Sequence, residues 1–213
     1  MPVDRGKRRS TVLRLVTEED AGPVEEPAAG PPRTAAPPAP ETPAEQEAAA
    51  RSICLRALQT RARTGAELAR LLEGKGIPAD VAEAVLERFA DVALIDDAAF
   101  ATAWVTNRHA GKGLARGALR HELRSWGVHD ETVDAAIAGL DPEVELATAR
   151  ALVARRMPAT RGLDAQARVR RLAGLLARKG YPSATAYQVV REALAAEGQD
   201  VTVDVDELST LED

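Results

Sequence analysis

Five basic residues, Arg108, Lys112, Arg116, Arg120 and Arg124, follow one another at intervals of four. At helical spacing such residues fall on one face, and a row of guanidinium groups is chemistry for phosphate or carboxylate. Gly111, Gly113 and Gly117 interrupt or precede the helix that carries them, so only Arg116, Arg120 and Arg124 are expected to share one stripe. Like charges four apart repel mildly, and Glu122 is the one acidic residue placed among them. The Gly111-Lys112-Gly113 run is read as a place where backbone approaches a phosphate or a partner surface at a helix N-terminus. An ordinary solvated helix face is the alternative reading of the stripe. A second, less regular cluster, Arg168, Arg170, Arg171, Arg178 and Lys179 with Arg155 and Arg156 before it, is a candidate extension of the same face.

No pattern for catalysis accompanies these cations. His109, His121 and His129 with Cys54 lack the spacing of a metal site and read as surface histidines. Gly111-x-Gly113 is too short for a nucleotide fingerprint, and no Ser, His, Asp set stands out. The expectation is a binding protein with no catalytic residue, cofactor or metal. The single cysteine suits a reducing cytoplasm. The apolar run after the basic start, broken by Arg14, is too short for a secretory signal or a membrane span, so a cytoplasmic protein without membrane contact is expected.

The elements that must carry the cations are legible from a repeat. Gly65-Ala-Glu-Leu-Ala-Arg-Leu-Leu-Glu-Gly-Lys-Gly76, Gly117-Ala-Leu-Arg-His-Glu-Leu-Arg-Ser-Trp-Gly127 and Arg171-Leu-Ala-Gly-Leu-Leu-Ala-Arg-Lys-Gly180 are versions of one segment. Leu68, Leu119 and Leu172 stand eight residues before the glycines Gly76, Gly127 and Gly180, and Leu72, Leu123 and Leu176 stand four before. These leucines face one way on a helix, and the glycine supplies its left-handed C-terminal cap. Ten residues beyond each glycine come Leu86, Ile137 and Val190, on a second helix that follows Pro78, His129 and Pro182.

A further amphipathic stretch precedes each glycine helix, at about 45 to 60, 97 to 108 and 142 to 157. Thr64 with Glu67 reads as a capping box, Asp96 or Asp97 as a cap, and Asp141 before Pro142 as another helix start. Helices of roughly 12 residues are marginal alone and must bury their leucine faces on neighbours. The fold class expected is all-α: three tandem three-helix repeats, at 45–95, 96–140 and 141–197, forming an elongated, curved rod. Residues 1–44, which hold a short basic segment and a Pro, Ala, Gly and Glu-rich stretch, and residues 198–213, acidic throughout, are expected to be disordered tails.

That division gives the net charge of -5 its meaning, because the acidity sits in the tails. Residues 104 to 180 hold 14 basic against 8 acidic side chains, a net of +6. A generic DNA coat is disfavoured by the acidic total, but a basic face on the second and third units is not.

Ile95-Asp-Asp-Ala-Ala-Phe-Ala-Thr-Ala-Trp-Val105, then Gly111-Lys-Gly113, then Leu119-Arg-His-Glu-Leu-Arg-Ser-Trp-Gly-Val128 resembles the signature of the bacterial RecX family, over about residues 48 to 196. The resemblance implies a non-enzymatic regulator whose partner is the RecA recombinase, chiefly as a filament on single-stranded DNA. It implies limited filament growth and suppressed ATP hydrolysis and strand exchange, in the setting of DNA repair and recombination. A monomer is expected, with direct DNA contact open. Within the signature, Phe100, Trp104 and Val105 read as core, and Asp96 and Asp97 as caps. Trp126 stands where the family usually has a lysine, as Lys75 and Lys179 are here. It has three readings: docking on a partner, stacking on a base, or packing against a neighbouring unit. The competing function class is a stand-alone module for single-stranded nucleic acid.

Overall fold

The computed structural model describes residues 42–198. The basic segment, the Pro-rich stretch and the acidic tail lie outside the described residues, apart from their innermost ends.

Nine α-helices occupy the described residues: α1 Pro43–Thr60, α2 Gly65–Glu73, α3 Ala79–Asp91, α4 Asp97–Lys112, α5 Arg116–Ser125, α6 Asp130–Ala138, α7 Pro142–Arg156, α8 Ala165–Ala177 and α9 Ser183–Ala196. A 3-10 turn, Met157–Thr160, follows α7. No strand occurs among the described residues, and no helix there is long and apolar enough to cross a membrane.

The chain enters α1 earlier than expected. Thr42 accepts from the Glu45 N–H, and the Glu45 carboxylate accepts from the Thr42 N–H at 3.1 Å, with Pro43 in the first turn. Thr-Pro-Ala-Glu is thus a complete capping box, so residues 42–44 are helix cap and first turn rather than linker. At α2 only half the expected box forms. Thr64 accepts from Glu67 N–H at 3.1 Å, but the Glu67 carboxylate turns to Arg61 and Arg63.

Each unit closes on its own core, and α1 packs chiefly on α3, α4 on α6, and α7 on α9. Leu68, Leu72, Leu119, Leu123, Leu172 and Leu176 are all at 0% exposure, as the eight-and-four spacing requires. Ile137 and Val190 are buried too, whereas Leu86 is only half-buried. Complete burial of a leucine is worth about 1.5–3 kcal/mol relative to exposure, so these repeated pairs dominate each small core.

The glycines end their helices alike. Gly76, Gly127 and Gly180 have φ of 75°, 78° and 83°. The N–H of the following residue, Ile77, Val128 or Tyr181, returns to the carbonyl of Leu72, Leu123 or Leu176 at 3.1 to 3.2 Å. This is the Schellman closure. Ala93 fills the comparable left-handed position after α3 with φ 53°.

The same turns also join the units. A Cβ on Gly127 would overlap that of Ala66 in the first turn of α2, and a Cβ on Gly180 would overlap the backbone of Ala118 in α5. On the opposite side of the second seam, Gly117 stands so close that its own Cβ would lie 2.7 Å from the Gly180 carbonyl oxygen. The carbonyl before each glycine is used as well. Thr64 Oγ1 donates to the Trp126 carbonyl at 2.8 Å, and Ala115 N–H donates to the Lys179 carbonyl at 2.8 Å. A carboxylate from the next unit completes each joint. Asp97 Oδ1 accepts from Gly65 N–H at 3.0 Å, and Glu145 Oε1 accepts from Arg116 N–H at 2.8 Å, each capping the N-terminus of its neighbour's second helix. Asp96 caps α4 itself by accepting from Ala99 N–H at 2.7 Å.

Nothing among the described residues stands within 4 Å of a Cβ placed on Gly76, so this glycine ends its helix without joining a neighbouring unit. At the other end, α8 begins at Ala165, a full turn earlier relative to its glycine than α2 or α5 does. The position that inserts as a helix start in the first two units is therefore mid-helix in the third, and offers no free N–H groups.

Two classes of glycine substitution follow. Gly76→Ala should cost about 1–2 kcal/mol, the left-handed backbone penalty alone. Gly127→Ala and Gly180→Ala carry that penalty together with displacement of a neighbouring helix, for roughly 3 kcal/mol or more. Urea unfolding of the three variants would show it; equal losses would remove the second role of the glycines.

Candidate functional site

The regular stripe and the irregular cluster exchange importance in three dimensions. Arg116, Arg120 and Arg124 do share a face of α5, but each already meets a carboxylate of this chain. Arg120 bonds Asp134 at 3.0 Å, and Arg124 bonds Asp130 at 2.7 Å. The Asp130 carboxylate raises the Arg124 pKa, chiefly through the hydrogen bond between them. Arg116 Nε lies 3.0 Å from Glu145 Oε2, with the N–H not aimed at that oxygen, and its Nη2 donates to the Leu140 carbonyl. Arg116 is thereby part of the joint between the second and third units.

α4 continues past Arg108 to Lys112, so these two cations belong to α4 and not to the stripe. The Arg108 guanidinium lies 4.1 Å above the Trp104 ring, with Nε 3.4 Å from Glu122. The Gly-Lys-Gly run is the C-terminus of α4, not a helix N-terminus. Gly113 is its left-handed cap with φ 62°, and a Cβ there would meet Leu152 at 3.0 Å. The close approach expected of these glycines is thus to the next unit of the same chain, and the carbonyl-rich end of a helix does not attract phosphate.

His109 is likewise not a surface residue. It is 6% exposed, with Nδ1 2.8 Å from the Leu114 carbonyl and Nε2 3.0 Å from Thr148 Oγ1. A carbonyl only accepts, so Nδ1 carries a proton and the ring bridges the second and third units. Beside it Tyr181 donates to the Gly113 carbonyl at 3.3 Å, and burial pushes its hydroxyl pKa up to about 12. Cys54 is fully buried, which raises its thiol pKa. Among the described residues no group of three or more His, Cys, Asp or Glu could hold a metal.

The irregular cluster makes the most basic surface. Arg155, Arg156, Arg170, Arg171, Arg178 and Lys179, carried by the end of α7 and by α8 and the residues after it, line one cleft of about 930 Å³ with Leu152, Leu163 and Leu175. No carboxylate lines it, and the five arginines are exposed without an ion pair among the described residues. Lys179 Nζ donates to the Lys112 carbonyl at 2.6 Å, so the cleft adjoins the end of α4. Arg168 is a correction within this cluster. It is 2% exposed, and its guanidinium points inward, to Glu197 at 2.6 Å and Thr160 at 3.2 Å. The turn of α8 puts Arg170 and Arg171 outside and Arg168 in the core, a division that composition alone does not reveal.

A different groove, of about 860 Å³, runs along α4. Its apolar lining includes Leu58, Ala93, Leu94, Phe100 and Trp104, and Arg61, Arg63, Arg108 and Lys112 border it. Phe100, Trp104 and Trp126 form one aromatic cluster, with centroids 5.4 to 6.5 Å apart. Val105 is core at 4% exposure, but Phe100 and Trp104 are half-buried. Trp104 Nε1 donates to Glu122 at 2.8 Å. Of the readings of Trp126, packing against a neighbouring unit is the one observed: Arg61 of the first unit lies 5.3 Å over its ring. Sequence inspection missed this groove because Leu94, 48% exposed, looks like an ordinary helix-end hydrophobe.

Comparison with known proteins bears on the whole assembly. Residues 50–89, 96–137 and 143–190 match, in order, the first, second and third three-helix domains of RecX. The chain is 55% identical over 159 residues to the regulatory protein RecX of Thermobifida fusca, covering 75% of this chain and 86% of that one. It is 55% identical over 161 residues to that of Streptomyces coelicolor, covering 76% and 84%. Against that of Mycolicibacterium smegmatis it is 44% identical over 162 residues, covering 74% and 86%. A crystal structure of regulatory protein RecX superposes with a TM-score of 0.64 at 26% identity, covering 70% of this chain and 73% of that one. A crystal structure of RecX from Lactobacillus salivarius gives 0.66 at 16% identity, covering 70% and 97%, a likeness of fold alone.

The division within the basic cluster is measurable. Arg168→Ala should cost about 2–4 kcal/mol, because it removes a buried side chain together with its bonds to Glu197 and Thr160 and leaves a gap beside Met157. Arg170→Ala and Arg171→Ala should each stay within about 0.5 kcal/mol of the parent. Urea denaturation of the three single variants compares them; a stability loss at Arg170 equal to that at Arg168 would place both in the core.

Proposed function

The chain belongs to the RecX family of regulatory proteins, and from that premise we propose that it binds the RecA recombinase, mainly as a filament on single-stranded DNA. Binding limits filament growth, ATP hydrolysis and strand exchange, and so modulates DNA repair and recombination. The protein acts in the cytoplasm, as a monomer, without catalysis of its own. The observation that carries this reading is the carboxylate-free cleft of Arg155, Arg156, Arg170, Arg171, Arg178 and Lys179. Six cations with no counter-charge among the described residues are matched to a polyanionic surface, whether acidic protein or a DNA backbone held inside a filament.

The mechanism follows from how the two surfaces are held. The glycine joints set the spacing of cleft and groove, so both can engage a repeating partner at once. Contacts at two sites on one rigid body multiply through effective concentration. A filament, which repeats its surface, is therefore favoured over a free RecA protomer. A bridge between protomers opposes the subunit movements that turnover and strand exchange require. Among the sequence-predicted contacts, the cleft residues are the strongest, Lys112 and Arg108 border the groove, and Arg116, Arg120 and Arg124 contribute less because each would first have to leave its carboxylate. Arg168 has no contact role in this reading.

The cleft also favours a second reading, a module that binds single strands alone. Phosphate binding of that kind weakens steeply with salt and makes no use of an apolar groove. Two full-length variants separate the readings in a titration against RecA on single-stranded DNA, following ATP hydrolysis, with parallel binding to an oligonucleotide alone. Charge reversal at Arg155, Arg170 and Arg178 should weaken inhibition by about 100-fold, on the scale of a few kcal/mol of lost ionic contact. Leu94→Asp should weaken inhibition about tenfold while leaving oligonucleotide affinity within about twofold, since it adds a charge to a protein-facing apolar surface. Full inhibition by both folded variants would overturn the assignment of both surfaces. Equal loss of inhibition and of oligonucleotide binding in Leu94→Asp would favour the stand-alone module.

A further inference from the structure

The third-unit cleft is unusual within its own molecule. Arg108, Arg116, Arg120, Arg124 and Arg150 each meet a carboxylate of the same chain, at Glu122, Glu145, Asp134, Asp130 and Glu192. The cations of the cleft meet none among the described residues. The chain nevertheless carries a matching set. Asp200, Asp204, Asp206, Glu207, Glu212 and Asp213 follow α9, with no Lys or Arg among residues 199–213.

We propose that residues 199–213 occupy the basic cleft of the third unit of the same chain, as a competing anion that a partner must displace. Three observations support this occupant. The first is charge, six carboxylates against six cations. The second is the point of departure. Glu197 is pinned by Arg168 at 2.6 Å, with Arg161 at 3.8 Å, so the chain leaves α9 beside α8. Ala167, Arg170 and Arg171 of that same helix form a wall of the cleft. Extended chain covers roughly 3.3 Å per residue and a helix with side chains is about 10–12 Å across, so a few of the 15 residues beyond Gly198 suffice to pass around α8. The third is pattern. Asp200-Val201-Thr202-Val203-Asp204-Val205-Asp206 alternates acidic or polar with apolar residues, and the cleft sets Leu152, Leu163 and Leu175 among its cations. An extended segment of period two has one side for each.

The contact stands by itself; its regulatory meaning rests on the cleft being the partner site proposed above. The test therefore reads contact first and competition second, in the full-length chain. A nitroxide is attached at Ser209→Cys, with Cys54 protected by burial. At low salt, about 50 mM, where charge acts over roughly 14 Å, amide signals of residues 167–179 should lose at least about half their intensity and recover near 500 mM. They should also recover when the six acidic residues are replaced by Asn and Gln. Undiminished signals in α8, or broadening centred on α4 instead, overturn the proposal. So does broadening that disappears on dilution into unlabelled chain, which means that a second copy supplies the segment. For competition, a labelled oligothymidylate should bind the neutralised variant at least about fivefold more tightly than the parent at low salt and equally at high salt. Unchanged affinity overturns the inhibitory role. Broadening together with normal RecA inhibition by the cleft-reversed protein would keep the contact and refute the partner site.

Discussion

A backbone without a Cβ at the end of the second helix of each unit is the constraint on which the rest of this structure depends. At Gly127 and Gly180 the left-handed turn and the absent side chain serve separate purposes: the turn ends a helix, and the missing methyl admits the neighbouring helix. Backbone carbonyls exposed by that close approach are then satisfied by Thr64 and Ala115, and the incoming helix starts are capped by Asp97 and Glu145. An unsatisfied buried polar group costs about 1–3 kcal/mol, so sterics and hydrogen bonding reinforce one another at both seams. Small cores that are marginal separately become parts of one array.

Charge is arranged around those seams rather than along a stripe. Arginines on α5 lie beside the acidic helix α6, which neutralises them, and Glu145 is drawn to Arg116 because it also caps a helix. The cleft side of α8 has no acidic neighbour among the described residues, and Arg170 and Arg171 meet no carboxylate there. Surface ion pairs contribute little to stability, about 0–1 kcal/mol, but they matter for binding, since a paired cation must give up one carboxylate to take another. Function in this family member is therefore best sought where pairing is absent.

The aromatic residues show a similar division of labour. Of the six aromatic residues, Phe100, Trp104 and Trp126 gather in one cluster, while Phe89 belongs to the first core and Tyr181 and Tyr187 to the third. Two of its members, Phe100 and Trp104, line the open groove along α4. Arg108, on the groove's rim, lies over Trp104, and Arg61 lies over Trp126.

Local periodicity is enough to locate the three units, the leucine pairs, the glycine stops and most caps, because those features depend on residues within one or two helical turns of each other. Membership of the RecX family is legible for the same reason, in a contiguous signature from Ile95 to Val128. What a long-range partner decides was not legible. Asp97 looks like a local cap and instead caps α2, 32 residues away; His109 looks like a surface residue and instead bridges to α7. Arg168 and Arg170 differ by two places and end in the core and in solvent. Spacing states which residues share a helix face, but only the packing of units states what that face meets, and electrostatic availability is a property of the pair and not of the residue.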